Sequence, residues 1–158
     1  MEQLFSNLRF ITDGEGFIDI TNELNLFIKK NDFSSGILNI TSLHTSCSLT
    51  INENADPNVL DDLKKYMQSI VPYDCYSSLS KNKEEIYYAH YQEGADDMPA
   101  HIKTSLTNTT ISLSFKKGEI ILGTWQAVYL WEHRFESKER SLNVHIIGDK
   151  TPNIYNGN

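Results

Sequence analysis

Three separated segments of the chain concentrate the residue types that can do chemistry. The first contains His44 and, a few residues later, Asn52 and Glu53. The second runs from His90 to Lys103 and carries two imidazoles, three carboxylates and one lysine. A histidine beside acids can transfer protons near neutral pH, and the same groups can ligate a divalent metal ion. We therefore interpret the segments as contributions to one polar site that binds an anion.

The second segment offers metal ligands and a helix terminus together. Asp97 is predicted to cap a helix over 98–106, and the N-terminus of a helix attracts anions through its N–H groups and dipole. His101 lies four residues after Asp97 and shares its face of the helix. Imidazole suits zinc-like ions and carboxylate suits magnesium, so either metal fits the composition. The spacing matches no compact metal motif, and a solvated acidic loop with a capping aspartate is the alternative interpretation.

The third segment combines an aromatic residue with cations. Trp125, next to Gln126, can stack on a planar heterocycle. Arg134 and Arg140 can each direct paired N–H groups at phosphate oxygens. The alternative is that Trp125 fills the core and that the arginines pair with Glu132 or with other acids nearby.

The bulk properties narrow the classes of function. The chain has 158 residues, a formal net charge of −7 and two cysteines. Its length fits a single domain, 1–148, followed by a polar and turn-rich tail, 149–158. The negative charge argues against nucleic-acid binding, and no apolar run is long enough to span a membrane. Because no signal peptide is evident and the cysteines suggest reduced thiols, we expect a cytoplasmic protein.

A β-rich scaffold must position these segments. Helical spacing of apolar residues predicts a helix over 22–30 with Thr21 as its N-cap, and a second helix opened by Asp56-Pro57. Lys116-Lys117-Gly118 predicts a hairpin turn, whereas Ser77 to Lys83 is interpreted as a loop. Strands outnumber the two or three helices and are not interleaved with them. The pattern therefore predicts an α+β fold, a mostly antiparallel sheet or β-sandwich.

In order and spacing, the three segments resemble the YjbQ-like family. The matching stretches are His44 to Leu63, His90 to Leu106 and Gly118 to Arg134, followed by Arg140 and a last strand. The resemblance implies an α+β β-sandwich that assembles as a homotrimer, with polar sites near the subunit boundaries. It also implies thiamine-phosphate synthase activity, in which a pyrimidine diphosphate and a thiazole phosphate are joined and diphosphate is released.

The resemblance assigns roles to individual residues of this chain. The catalytic candidates are His44, His90, His101 and Glu53, and the three histidines are also the candidate ligands of a divalent metal, zinc or magnesium. The candidates for binding a small phosphorylated metabolite are Asn52, Asp97, Lys103, Trp125, Gln126, Glu132, Arg134 and Arg140. Two alternatives use the same groups: a metal-dependent phosphoester hydrolase, and a non-catalytic module that binds a phosphorylated metabolite.

Overall fold

The computed structural model describes residues 1–79 and 81–152, and these residues form three helices and ten strands. The helices are α1 (Thr21–Lys30), α2 (Pro57–Ile70) and α3 (Asp97–Leu106). The first five strands are β1 (Glu2–Ile11), β2 (Gly16–Asp19), β3 (Phe33–Ser42), β4 (Cys47–Glu53) and β5 (Cys75–Ser77). The last five are β6 (Glu85–Tyr87), β7 (Thr110–Lys116), β8 (Glu119–Ile120), β9 (Gln126–Glu132) and β10 (Glu139–Lys150).

Two antiparallel sheets share one hydrophobic core. The larger sheet has the strand order β1-β10-β3-β7-β8, and the smaller has the order β2-β9-β4. Alternate residues of both sheets and the apolar stripe of α1 meet in the core, which includes Leu24, Ile28, Leu38, Ile40, Leu49, Val128, Leu130, Val144 and Ile146. The β5–β6 hairpin forms a separate two-stranded sheet. The fold is the predicted α+β class, and its sheets curl into a half-barrel.

Local sequence signals hold where they depend only on neighbouring residues. The Asp56 side chain accepts a hydrogen bond from the Asn58 N–H at 2.9 Å, and α2 begins at Pro57, as the predicted cap requires. Lys117 and Gly118 have φ angles of 57° and 75° and turn β7 into β8. Two consecutive residues with positive φ suit the twist of a tight hairpin.

Two local predictions were wrong because tertiary partners override local preference. Helix α1 begins at Thr21, not after it, and the Thr21 hydroxyl accepts a hydrogen bond from the Val128 N–H at 2.9 Å. Asp97 is likewise the first residue of α3, not its N-cap, and its carboxylate points to other partners. By contrast, β5 ends at Ser77 and β6 begins at Glu85, so the predicted loop from Ser77 to Lys83 falls on the connection between these two strands.

The first and last strands, β1 and β10, pair with each other in the large sheet. Strand β10 continues to Lys150, two residues past the point where a polar tail was predicted, and residues 153–158 lie outside the described part of the chain. Within the described residues, no helix has both the length and the apolar character needed to cross a membrane.

Candidate functional site

One face of α3 carries the first two members of a compact cluster. Asp97 and His101 lie one helical turn apart, and His101 Nε2 is 3.6 Å from Asp97 Oδ1. His90, in the segment before the helix, brings its Nε2 to 2.8 Å from Asp97 Oδ2. One ligand atom from each of the three residues lies within 4.8 Å of the others. We call this group the His-Asp-His cluster.

A backbone carbonyl fixes the proton of His101. His101 Nδ1 lies 2.9 Å from the carbonyl oxygen of Thr45, and because that oxygen can only accept, Nδ1 carries the hydrogen. In the neutral ring, Nε2 is then left with a free lone pair on the side of Asp97. Orientation of an imidazole through its second nitrogen is the arrangement seen around metal-binding histidines.

Arg134 holds the carboxylate of Asp97 in place. Its Nη1 donates to Asp97 Oδ1 at 2.5 Å, and its Nε donates to Asp96 Oδ2 at 2.9 Å. Asp97 is 2% exposed, yet its Oδ2 accepts no hydrogen bond from any described residue; the close His90 nitrogen is not aligned to donate. Buried carboxylate oxygens are normally satisfied, so this one is available for a ligand.

His44 lies beside the cluster but outside it. His44 and His101 line the same polar groove together with Thr45. The Ser141 N–H donates to His44 Nε2 at 2.7 Å, which occupies the lone pair that a metal would need. Burial, and after it the charge of Arg140, lowers the pKa of His44. The structure therefore places His44 on the same groove as His101, and Asp97, not His44, completes the cluster with His90 and His101.

Glu132 and Arg140 bind each other. Arg140 Nη2 and Nε donate to the two Glu132 oxygens at 2.5 and 2.7 Å. Both residues are buried, and Arg140 also donates to the hydroxyl of Ser46 at 3.0 Å. The Arg140 guanidinium was predicted to bind phosphate, but its N–H groups donate to protein partners instead.

Lys103 points away from the cluster, into the protein. Its Nζ is fully buried and donates to Glu15 Oε1 at 2.5 Å and to the Tyr73 hydroxyl at 3.0 Å. Gln68 and the Tyr73 hydroxyl both donate to the second oxygen of Glu15, each at 2.6 Å. This network joins α2 and α3 to the turn before β2. Burial, and then the hydrogen bond to Glu15, raises the pKa of Tyr73 well above its ordinary value.

The remaining predicted site residues lie at the opposite end of the small sheet. Asn52 pairs with Ala127 and Glu53 pairs with Gln126, whereas the Cys47 end of β4 reaches Glu132. At about 3.3 Å per residue, the two ends are about 20 Å apart. Asn52 and Gln126 each accept a local backbone hydrogen bond, and Trp125 is 65% exposed. One subunit therefore does not unite Asn52, Glu53, Trp125 and Gln126 with the His-Asp-His cluster.

Residues that sequence reasoning missed have no local signal. The carbonyl of Thr45 selects the His101 tautomer, Glu15 neutralises Lys103, and Asp96 anchors Arg134. Glu15 lies in a Gly-rich turn that indicated only a change of chain direction. Asp96 adjoins Asp97, and a pair of adjacent acids was the one available hint that an arginine had to be neutralised there.

The family was identified by comparison with known proteins. The family model described as UPF0047 protein YjbQ-like matches residues 6–149. The chain belongs to this family. Among curated relatives, it is 38% identical to the UPF0047 protein YjbQ of Escherichia coli O157:H7, over 85% of this chain and 90% of that protein. It is 37% identical to a UPF0047 protein of a Synechocystis strain, over 87% of each chain.

Solved structures of the family share the fold. An uncharacterised YjbQ/UPF0047 protein from Clostridium acetobutylicum has a TM-score of 0.71 at 29% identity, covering 91% of this chain and 99% of that chain. A conserved hypothetical protein from Thermus thermophilus has a TM-score of 0.72 at 28% identity, covering 90% of this chain and 99% of that chain. The names of these proteins assign no activity, so function has to be argued from the site.

Proposed function

We propose that this protein is a metal-dependent transferase with thiamine-phosphate synthase activity, whose divalent ion is held by the His-Asp-His cluster. The resemblance to the YjbQ-like family implies the reaction: hydroxymethylpyrimidine diphosphate is joined to thiazole phosphate and diphosphate is released. The single observation that carries the metal is the buried Oδ2 of Asp97, which accepts no hydrogen bond from the described chain and belongs to a carboxylate that lies beside both the His90 and His101 imidazoles.

The donor set fits a zinc-like ion better than magnesium. His90 and His101 each offer an imidazole nitrogen, and Asp97 supplies one carboxylate oxygen. Imidazole is a ligand of zinc and other transition ions, whereas magnesium prefers oxygen ligands. The His90 and His101 side chains are 54% and 32% exposed, so further positions of a bound ion would face solvent. Three protein ligands with open positions are typical of catalytic sites, not structural ones.

The pairing of the nearby cations supports the same proposal. Lys103, Arg134 and Arg140 were predicted to bind phosphate, but each is buried against carboxylates. Among the described residues around the cluster, the charge needed to bind a phosphorylated molecule therefore has to come largely from a bound ion. Such an ion supplies positive charge facing phosphate oxygens, while Arg134 keeps Asp97 oriented toward it.

Metal titration tests the ligand set. The change His101→Ala should weaken the binding of zinc, measured by isothermal titration calorimetry, by about 100-fold or more, because it removes one of three ligands. The change Tyr66→Ala is the control, because Tyr66 is an exposed residue of α2 and belongs neither to the cluster nor to the large sheet. Equal zinc affinities for wild type and His101→Ala, at unchanged melting temperature, would remove the metal from the proposal.

Product analysis separates the synthase from the hydrolase. The open side of the cluster also suits activation of a water molecule, which favours a metal-dependent phosphoester hydrolase as the second candidate. The synthase should release diphosphate only when the pyrimidine diphosphate and the thiazole phosphate are both present, whereas the hydrolase should act on one phosphorylated compound alone. Thermal stabilisation by a phosphorylated compound without turnover would favour the non-catalytic binding module.

We also propose that the protein assembles as the homotrimer that the resemblance implies, through the outer face of the large sheet. Twelve uncharged side chains form three rows at the centre of this face: Gln3, Phe5, Asn7, Ile37, Asn39, Thr41, Thr110, Ser112, Ser114, Asn143, His145 and Ile147. The charged side chains of the same face lie at its two ends: Arg9, Lys116, Glu139 and Asp149. A chain with net charge −7 meets a second copy with least repulsion over such a face.

Ile37→Lys should lower the mass found by light scattering, whereas Leu26→Lys, on α1, should not. A trimeric Ile37→Lys variant would place the interface elsewhere.

The proposed trimer also provides a role for the site residues at the far end of the small sheet. In a trimer, Asn52, Glu53, Trp125 and Gln126 of one subunit can approach the cluster of its neighbour. If so, inactive His101→Ala subunits and inactive Glu53→Gln subunits should recover activity when they are co-expressed in mixed trimers. Full activity of the Glu53→Gln protein by itself would exclude a role for Glu53.

The predicted cytoplasmic location is retained as a proposal. Cys47 and Cys75 are both free thiols, and Cys47 is buried in the core. Free cysteines are usual where the compartment keeps thiols reduced. Fractionation of cells that express the protein at its native level is the direct measurement.

A further inference from the structure

A second concave region adjoins the His-Asp-His cluster. The β5–β6 hairpin and the segment after it enclose a cavity of about 670 Å³ that is lined by Tyr73, Tyr87, Tyr88 and Tyr91. We call it the tyrosine cavity. Its volume is in the range of pockets that hold small molecules. No part of the sequence analysis assigned a role to these tyrosines.

His90 belongs to both regions. Its ring lines the tyrosine cavity, while its Nε2 lies 2.8 Å from Asp97 Oδ2 in the cluster. One small molecule could therefore contact the cluster with one end and occupy the cavity with the other. The two regions can be treated as adjacent subsites of a single ligand.

Three of the four rings have hydroxyl groups that hydrogen-bond within the chain. Tyr73 donates to Glu15 and accepts from Lys103, and its ring packs against Phe135 with centroids 4.6 Å apart. Tyr88 donates to the carbonyl oxygen of Pro72 at 3.0 Å, and Tyr87 donates to Glu85 at 3.1 Å. Rings that are already fixed lose little conformational freedom when a ligand stacks against them.

Two of the four rings have exposed surface that a ligand can bury. Tyr87 and Tyr91 are 68% and 69% exposed, and both line the cavity. Aromatic side chains stack on planar ligands, and such stacking is worth about 1–3 kcal/mol per nucleobase ring. Aromatic residues that line a cavity and remain this exposed indicate a surface that a planar ligand can cover.

The charges that line the tyrosine cavity indicate whether the ring or the phosphate end of a ligand binds there. Asp74 and Glu85 line the cavity, and the described lining residues include no lysine or arginine. Carboxylates repel phosphate and accept hydrogen bonds from N–H groups. The tyrosine cavity therefore suits a neutral or cationic ring with amino groups, and a phosphorylated tail is directed toward the cluster.

We propose that the tyrosine cavity binds the ring of the substrate, a planar heteroaromatic ring with amino substituents, while the phosphate groups lie at the His-Asp-His cluster. This inference rests on the proposed function for the phosphate end only. It gives the stacking role to Tyr87 and Tyr91, at the cluster end of the molecule, in place of Trp125 at the other end of the small sheet.

Three probes separate the ring from the phosphate: hydroxymethylpyrimidine, its diphosphate, and inorganic diphosphate. Calorimetry with zinc present should give wild-type protein about tenfold or greater preference for the pyrimidine diphosphate over inorganic diphosphate, from ring stacking. The double variant Tyr87→Ala/Tyr91→Ala should lose that preference and its affinity for unphosphorylated pyrimidine. Its affinity for inorganic diphosphate should stay within about twofold, since the cluster is intact.

The control is Tyr66→Ala, which removes a tyrosine of similar exposure, 65%, from α2. This variant should keep the wild-type preference. Equal affinity of wild-type protein for the pyrimidine diphosphate and inorganic diphosphate would overturn the inference, as would an unchanged preference in the double variant. If neither wild type nor variants bind inorganic diphosphate, the proposed phosphate site fails, while tyrosine-dependent binding of unphosphorylated pyrimidine still decides the inference.

Discussion

Two buried carboxylates, Glu132 and Asp97, have the same charge and burial but different surroundings. Both oxygens of Glu132 are satisfied: Arg140 binds both, the Thr12 hydroxyl donates to one, and the N–H groups of His133 and Arg134 donate to the other. Asp97 has one oxygen bound by Arg134, and its other oxygen accepts nothing from the described chain. Burial and an arginine partner are therefore common to both residues.

The difference separates a structural pair from a candidate binding group. A carboxylate whose acceptor sites are all filled by the protein has nothing left for a ligand, however polar its neighbourhood is. A buried carboxylate that has one oxygen without a hydrogen bond and two imidazoles beside it keeps the capacity to bind a cation. Glu132 and Asp97 are therefore distinguished by whether all of their oxygens accept hydrogen bonds from the protein, and not by residue type.

The largest expected effect comes from breaking the satisfied pair. Glu132→Gln would leave the Arg140 charge buried beside a neutral amide, and removing one partner of a buried ion pair costs about 3–5 kcal/mol. Urea denaturation should show a loss of this size in the free energy of unfolding. The double variant Glu132→Leu/Arg140→Met should recover part of the loss, because no unpaired charge remains. Wild-type stability of Glu132→Gln would mean that the pair is not structural.

Asp97→Asn should have the opposite effects: a small loss of stability and a large loss of zinc affinity. Arg134 keeps Asp96 as a partner, so we expect the free energy of unfolding to fall by only about 1 kcal/mol. Zinc affinity should fall by about 100-fold, since a charged ligand is replaced by a weak one. A large stability loss without a change in zinc binding would place Asp97 in the same class as Glu132.

His133 extends the comparison to a buried group that titrates. It is fully buried, Ser48 lies 2.9 Å from its Nε2, and burial, followed by the charges of Lys103 and Arg140, lowers its pKa to about 3. The unfolded chain therefore binds a proton below about pH 6.5 that the folded chain does not. Stability should fall as the pH drops from about 6.5, by at most roughly 1.4 kcal/mol per pH unit from this group.

Urea titrations at several pH values give the measurement for His133. The variant His133→Gln should have a flatter dependence between about pH 6.5 and pH 4, because the titrating group is gone. His44, whose pKa is also lowered, remains in both proteins, so the difference between the two curves isolates His133. Parallel curves would show that His133 is protonated or solvated in the folded state.

The smallest expected effect comes from removing one of several hydrogen bonds that Arg140 makes. Ser46→Ala removes a 3.0 Å hydrogen bond to Arg140, which keeps both of its bonds to Glu132. One bond of this kind is worth about 0.5–1.5 kcal/mol. Urea denaturation should show a loss in that range with unchanged zinc affinity. A larger loss would mean that Ser46 supports the Glu132–Arg140 pair cooperatively.

Sequence reasoning succeeded where the deciding contacts are local. The cap at Asp56 and the turn at Lys117-Gly118 depend on neighbouring residues, and both were predicted. Asp97 and His101 could be placed on one helical face because a helix fixes the spacing of residues four apart. The α+β class followed from strand content and order.

Sequence reasoning failed where the deciding contact comes from a distant segment. Lys103 looked like a phosphate ligand, because nothing in its own segment showed that Glu15 would neutralise it, whereas the pairing of Arg140 with Glu132 had been considered as the alternative. The loop from Ser77 to Lys83 was predicted, but the short strands β5 and β6 on either side of it were not. The separation of Trp125 from the cluster likewise follows from the register of β4 and β9, which no local pattern fixes.

The three cluster residues are held in place to different degrees, and this difference would determine how a bound ion exchanges with solvent. Asp97 and His101 are fixed on one helix, and His101 is further held by Thr45, whereas the side chain of His90 is 54% exposed. A departing ion would lose its least constrained ligand first, so the exchange rate would be governed by His90. Because His90 also lines the tyrosine cavity, an occupied cavity would slow exchange, and substrate and ion would leave in a fixed order.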